Sequence, residues 1–574
     1  MVTRTIVLLA LALVSSQALT ATVRSSPINV GTTGASSIAS AAAVPPGVPS
    51  DDSIRDTGRE QKHDAMLQKL ILDLRARHSA QASLAPLTLP HVAGLRLGED
   101  ESGFGFKGLS NLDQANVNMG FSVEPPDQAL CVGNGYVFEG VNSAFAVYSE
   151  TGRLLAGPAQ ANAFFGVDFS LNVSDPKCIY DAASNRWFVT MTEYDNFFSD
   201  NHIKIAVSQT GDPTGSFKIY DIKVTNDGSD FFPGDCPCLG DQPLIGADAN
   251  GFYISTNAFG VTSFQGAQIY ALSKAALAKG ASFIPGRHFD QLSALMPDIE
   301  FAFSIQPSTT PPGARFANNT EFLAQSMGAH KAENRLAVWT VNNTSALDGN
   351  LAMLSMSLAV TPTEVYVTPV PARQKVGPTP RAEIAAIDDF SAAADEQSLD
   401  GNDQRLSQVM YLNGALWTAV GTASTTDGSP VRDAVAWFVL NVSNGTGGPT
   451  ASVAAQGYIA GPDSSHLIYP AMAVNASGEA AMVFTLTGPQ FFPSAAFWKF
   501  GTRTIHMMAE GKAPQDGFSA YLFGRPRWGD YSAAAVGQDG TIWMATEMIP
   551  GGVRKRSANW GTFIGRTHSG EQDD

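Results

Sequence analysis

The sequence predicts an all-β chain folded as a β-propeller of seven four-stranded blades, with six as the alternative count. Three observations carry that expectation. From about residue 100 onward, short runs of Val, Ile, Phe, Tyr and Trp are separated by Asn-Gly, Asp-Gly and Ser-Gly turns, the punctuation of antiparallel hairpins. A unit of strand, turn and aromatic recurs along the chain. Charged residues make up only 16% of the 574 positions, against about 25% in average domains, which argues against a coiled coil or a solvated helical bundle.

The unit is clearest in residues 241–257 and 530–547. In both, an Asp precedes a turn glycine (Gly251, Gly540) by ten residues, and an aromatic (Tyr253, Trp543) follows. Asp175 stands ten residues before Asn185, with Trp187 after it, and Asp403 ten before Asn413, with Trp417 after it. Asp127 leads to Asn134-Gly135 and Tyr136 over a shorter run. Residues 468–485 keep the strands and a Ser477-Gly478 turn without the leading Asp, and residues 320–340 form a degenerate copy.

Unit starts therefore fall near residues 127, 175, 241, 320, 403, 468 and 530. A lone four-stranded sheet cannot cover both its faces, so such units stack around an axis. The uneven spacing assigns long face loops to residues 286–315 and 361–403. Tandem β-sandwiches are the rival arrangement. No Pro/Ser/Gly linker divides residues 100–566, which favours the propeller. Long helices are absent from this region, and the best short one covers residues 273–279.

The amino end reads differently. Arg4, an apolar stretch over residues 6–14 and the small residues Ser16 and Ala18 make residues 1–18 a secretory signal, too short to span a bilayer. Residues 19–57 are rich in Ser, Ala, Thr and Pro and are expected to be a disordered linker. Residues 58–80 place Met66, Leu67, Leu70, Ile71 and Leu74 on one face of an amphipathic helix. The polar residues 567–574 read as a disordered tail with no anchor. The expectation is an exported, extracellular monomer without membrane insertion. A net charge of −17 argues against nucleic acid as a partner.

Export permits disulfides. Cys131, Cys178, Cys236 and Cys238 allow three connectivities, and the sequence does not choose among them. Cys236-Pro237-Cys238 is too closely spaced for an ordinary zinc pair. N-glycosylation sequons at Asn172, Asn318, Asn342, Asn343, Asn441, Asn444 and Asn475 mark expected surface positions.

Several segments carry a resemblance. PPDQALCVGNGYVFEGVN (125–142), SDPKCIYDAASNRWFVT (174–190), IAVSQTGDPTGSFKIY (205–220), CPCLGDQPLIGADANGFYISTN (236–257), LDGNDQRLSQVMYLNGALW (399–417) and RWGDYSAAAV (527–536) resemble a family of secreted proteins of unassigned function. That family is similar to the sialidase-type β-propellers, and the resemblance spans about residues 103–566. Sialidases carry Asp boxes of the form S-x-D-x-G-x-T-W and an arginine triad. No Asp box occurs here, which speaks against sialidase activity.

In a propeller, the innermost strand of each blade starts at one mouth of the axial channel. Asp127, Asp175, Asp241, Asp403 and Asp530 would ring that mouth, with Arg405 and Arg527 as counter-charges. Glu193, Asn257 and Glu547, at the ends of second strands, would return to the same face. One reading makes the Asp residues Asx-turn acceptors. The other makes them a glycan or cation site, where gathered carboxylates would suit Ca²⁺ with its six to eight oxygen ligands.

A second acidic loop, residues 226–235, offers Asp227, Asp230 and Asp235 to Ca²⁺ without EF-hand spacing. Glu193 and Glu547 are the acid/base candidates for glycoside hydrolysis, which needs carboxyl groups about 5–5.5 Å apart for retention or about 6.5–9.5 Å for inversion. Phe231-Phe232 and Phe491-Phe492 are either sugar-stacking or blade-packing aromatics. No H-E-x-x-H, G-x-S-x-G or P-loop motif occurs. The expected function is a non-catalytic binding or matrix/cell-surface protein with glycans or surface proteins as partners. The alternative is a sialidase-like glycoside hydrolase.

Overall fold

In a computed structural model of the chain, the described residues are 21–43, 88–98, 105–118, 120, 122–195, 200–225, 236–260, 264–295, 299–327, 332–377, 398–426, 430–516, 526–552 and 558–567. The expected signal segment 1–18, the helix 58–80, the acidic loop 226–235 and the tail beyond residue 567 lie outside them.

Seven innermost strands surround the axis: Ala129–Gly133, Asn172–Asp181, Leu239–Ala247, Gln306–Thr309, Val409–Leu412, His466–Val474 and Ala533–Val536. Each touches the next and the seventh touches the first, so the ring is closed. From each of them an antiparallel sheet runs outward, which makes blades 1 to 7 of a β-propeller. The expected fold class and the count of seven both hold.

The ring is locked by exchange of chain ends. Blade 7 takes its inner three strands, Ala533–Val536, Ile542–Met548 and Gly561–Arg566, from the carboxyl end. Its outermost strand, Gly105–Ser110, comes from ahead of blade 1. Glu139 of blade 1 reinforces the closure by accepting from Leu109 N at 2.8 Å and from the Thr562 hydroxyl.

Burial explains the strand sequences. The inner strands Ala129–Gly133, Leu239–Ala247 and His466–Val474 are buried along their whole length, so they do not alternate between polar and apolar residues. The outer strand Gly448–Ile459 is partly exposed. Aromatic pairs fill the wedges between blades: Phe188 stacks on Phe252 between blades 2 and 3 at 5.0 Å, and Phe322 on Tyr411 between blades 4 and 5 at 5.6 Å. Each such ring contributes about 1.5–3 kcal/mol by leaving water.

Three expectations change. The linker predicted for residues 19–57 is structured in its first half. Ala21–Ser36 is a strand that pairs with Phe283–Leu295 of blade 3 through residues 21–31 and with Phe217–Lys223 of blade 2 through residues 32–36. Helix Ile38–Ala42 then packs on blade 1 through buried Ile38 and Ala41. This segment is held by backbone hydrogen bonds to two exposed sheet edges, which need no apolar periodicity in the added strand.

The fourth blade begins at Gln306–Thr309, not near 320, and Thr320–Ser326 is its second strand. The loop expected at 286–315 is largely strand, through Phe283–Leu295, Ile299–Phe301 and Gln306–Thr309. The short helix expected at 273–279 is present as Lys274–Ala278, with the Ser273 side chain accepting from Ala276 N.

Both cysteine pairs form disulfides. Cys131–Cys178 joins the inner strands of blades 1 and 2, with Cα atoms 5.7 Å apart, and Cys236–Cys238 closes a three-residue ring before blade 3. Among the described residues, no helix is long and apolar enough to cross a membrane. The sequons divide. Asn318, Asn343 and Asn441 are exposed, and Asn172, Asn342 and Asn444 are half-buried. Asn475 is a correction: it is 4% exposed and its Nδ2 donates to Gly540 O at 2.9 Å and Glu479 Oε2 at 2.7 Å, so it is no surface acceptor.

Candidate site at the channel mouth

Each blade turns its chain into the mouth through one residue of left-handed backbone: Asp127, Asp175, Gln242, Ser304, Asn402, Tyr469 and Gly529. The turn aims the following strand down the axis and leaves polar side chains around the opening. Asp and Asn tolerate this conformation better than most residues. That tolerance accounts in part for the Asp and Asn at these strand starts.

The five aspartates meet there, and several of their bonds cross from blade to blade. Asp127 accepts from Asp530 N at 2.6 Å and from Asn142 Nδ2 at 2.8 Å. Asn142 in turn accepts from Asp175 N at 2.8 Å, which links blades 1 and 2. Arg405 lies across the middle. It donates to both oxygens of Asp403 at 2.9 and 2.7 Å, to Gln242 Oε1 at 2.7 Å, and stands 3.9 Å from Asp530. Arg527 donates to Asp530 Oδ1 at 2.9 Å. Asp241 belongs to the same field, acting on Arg405 and Tyr531.

The electrostatics follow from this crowding. Burial pushes the Asp127 carboxyl up to about 7, helped by repulsion from Asp530 and opposed by Arg527 and the Asn142 hydrogen bond. Burial lowers the Lys177 amine to about 7, against the pull of Asp175, Asp127 and Asp530. Lys177 lines the axial cavity of about 130 Å³ beneath the mouth, with its Nζ over the Tyr531 ring. Burial disfavours the Arg405 charge, but Asp403, Asp530 and Asp241 outweigh it and hold the guanidinium ionised.

The two glutamates separate. Glu547 lies at the mouth: a side chain on Gly529 would begin 3.6 Å from Glu547 Oε2 and 3.4 Å from Asp127 Oδ1. Burial raises its carboxyl well above the usual range, and repulsion from Glu124 and Asp127 adds to the shift. Glu193 does not join it. Its carboxylate pairs with Lys204 at 2.6 Å, Lys204 with Asp221 at 2.8 Å, and Asp221 with His202 at 2.6 Å, a ladder across the second to fourth strands of blade 2. The expected Glu193/Glu547 acid/base pair is therefore not assembled.

Among the described residues, no group of three acidic, histidine or cysteine side chains is arranged to hold a metal. Asp127, Asp403 and Asp530 are already engaged by Asn142, arginine or backbone N–H donors. Asp227, Asp230 and Asp235 lie outside the described residues, as do Phe231 and Phe232. Phe491 packs against the hydrophobic core, and Phe492 lies under Lys375, with Nζ 4.9 Å from the ring. Asn257, the third second-strand candidate, bonds Ser304 of the next blade through both side-chain atoms, at 2.8 and 2.9 Å.

Lys177, Gln242, Ser304 and Tyr469 were not singled out from the sequence. The Asp-Gln pairs at 127–128, 241–242 and 403–404 carried a signal for Gln242. Ser304 and Tyr469 carried none.

No family model matches the chain, and no curated protein does. Solved structures share its general architecture weakly. An exo-β-1,3-galactanase from Phanerochaete chrysosporium is 10% identical with a TM-score of 0.28, covering 68% of this chain and 80% of that one. A Trypanosoma rangeli sialidase mutant displaying trans-sialidase activity is 11% identical with a TM-score of 0.31, covering 74% of this chain and 57% of that one. The Dos1 propeller is 6% identical with a TM-score of 0.32, covering 77% and 78%. Likenesses this slight carry no argument about chemistry.

Proposed function

We propose that this protein is a secreted, monomeric binding protein that takes a glycan at the carboxylate-lined mouth of its propeller. Export is supported by the apolar stretch at residues 6–14 and by two disulfides. The observation that carries the reading is the interleaving of donors and acceptors at the mouth. Arg527 and Asp530 are side by side and partly exposed, and Arg405, Asp403 and Gln242 form a fixed polar floor beside them. Neighbouring hydroxyls of a sugar, each both donor and acceptor, match such a surface.

A second reading, glycoside hydrolysis, has one specific observation in its favour. Asp127 and Glu547 approach the same point beside Gly529, and burial favours a proton on each. One carboxyl group would have to stay ionised as base while the other acts as acid.

A glycan array run beside a panel of chromogenic glycosides tests both. Binding without turnover is the expected result. Turnover abolished by Glu547→Gln would replace the binding reading with the hydrolytic one. Neither binding nor turnover would sink both.

A further inference from the structure

In blade 7 and the segments packed on it, several buried side-chain oxygens lack hydrogen-bond donors. Glu547 is 2% exposed, and among the described residues neither of its carboxylate oxygens has a partner. Gln515 is fully buried. Its backbone is clamped by Gln374, which accepts from Gln515 N at 2.8 Å and donates to Gln515 O at 3.0 Å. Its side-chain Nε2 donates to Glu124, and its Oε1 is left without a donor. Asn559, 4% exposed, donates to Pro514 O at 2.9 Å and likewise leaves its Oδ1 unpartnered.

The charge balance has the same sign. The charges that bear on Glu547 are those of Glu124 and Asp127, both carboxylates. Arg405 and Arg527 are committed to Asp403 and Asp530. A buried carboxylate without donor or counter-charge is costly, and buried amide oxygens without donors add to the cost. Carboxylate and amide oxygens together, with no nitrogen or sulfur ligand, are the donor set of a hard cation.

We propose that Glu547, Glu124 and the amide oxygen of Gln515 bind one Ca²⁺, with Asn559 Oδ1 beside them. Ca²⁺ suits the set because it accepts irregular geometry and mixes carboxylate with amide oxygens, whereas Mg²⁺ demands a near-octahedral shell and keeps its waters. The cation neutralises the corner of the mouth that no arginine reaches. It also ties the second strand of blade 7, which carries Glu547, to the segments ahead of blade 1 and after blade 6. With Glu547 as its ligand, Asp127 loses the carboxyl partner that hydrolysis would need, so the inference favours binding over hydrolysis but does not rest on glycan binding.

The test uses the full chain, stripped with EDTA and titrated with CaCl2 by calorimetry, with thermal melts in CaCl2 and in MgCl2 and no glycan present. One Ca²⁺ per chain and a melting temperature that rises saturably with Ca²⁺, as mass action requires, are expected. Glu547→Gln keeps the shape of a protonated Glu547 and should lose the binding heat and the shift. Gln515→Leu should weaken Ca²⁺ at least tenfold. No heat and no shift in the wild-type chain would overturn the proposal, as would an equal response from Glu547→Gln. A neutral Glu547 simply buried in the fold would give that equal response or none. Either failure leaves the glycan reading standing.

Discussion

The carboxylate of Glu139 fills the space that a side chain on Gly108 would occupy. That space lies at the seam where strand Gly105–Ser110 closes the ring. Glycine is required there by close approach, since Glu139 accepts from Leu109 N and from Thr562, and Tyr148 OH donates to it at 3.3 Å. Gly108→Ala should push the carboxylate out of this network. The expected loss is about 1–3 kcal/mol, the usual cost of overpacking, measured by denaturant unfolding. Unchanged stability would mean that the seam yields freely.

Glu139 also makes stability depend on pH. Burial pushes its carboxyl up to about 7, against the hydrogen bonds it accepts. A folded value above the unfolded one means that the folded chain prefers the proton. The contribution is complete below the ordinary carboxyl range near pH 4.5 and is lost as pH rises through about 7. Over that window Glu139→Gln should flatten the decline, by on the order of 3 kcal/mol. A decline of equal size in the variant would assign the dependence to other groups.

Glu193 supports blade 2 and not the mouth. Glu193→Gln leaves Lys204 with Asp221 alone and should cost about 1–3 kcal/mol of stability. Its glycan affinity should equal that of the unmutated chain. A selective loss of binding, with stability intact, would return Glu193 to the site.

The two disulfides should differ in weight. Cys131–Cys178 closes a loop across two blades with a sequence separation of 47, while Cys236–Cys238 has a separation of 2. Replacing both Cys131 and Cys178 by Ser should lower stability by about 2–5 kcal/mol. Replacing Cys236 and Cys238 should cost less. Equal losses in urea melts would contradict a role for the first bridge in joining blades.

Much of this was legible because the same local problem recurs. Every blade must bend into the mouth, and Asp127, Asp175, Asp403 and Asp530 sit at or beside the bend. Blade 4 hid because its inner strand has four residues, contains Pro307, and makes its bend with Ser304 in place of an Asp. The strand Ala21–Ser36 hid because backbone pairing to two sheet edges asks little of side chains, and Val30 is one of its few buried apolar residues. Glu193 misled for another reason. It ends a second strand as Glu547 does, but its side chain meets Lys204 diagonally on the next strand, and Lys204 faces Asp221 one strand further out. A strand's period of two makes such faces turn on a single residue of register. Gln515 and Asn559 come from segments that only the closed ring brings against Glu124 and Pro514.

The most direct test of the mouth as the binding site is one affinity comparison. A glycan identified on the array is titrated into the unmutated chain, Arg527→Gln and Glu193→Gln. Loss of a charged hydrogen bond at the mouth should weaken Arg527→Gln by roughly 10- to 100-fold, while Glu193→Gln binds as the unmutated chain does. Unchanged affinity in Arg527→Gln, or equal loss in both variants, would contradict the account.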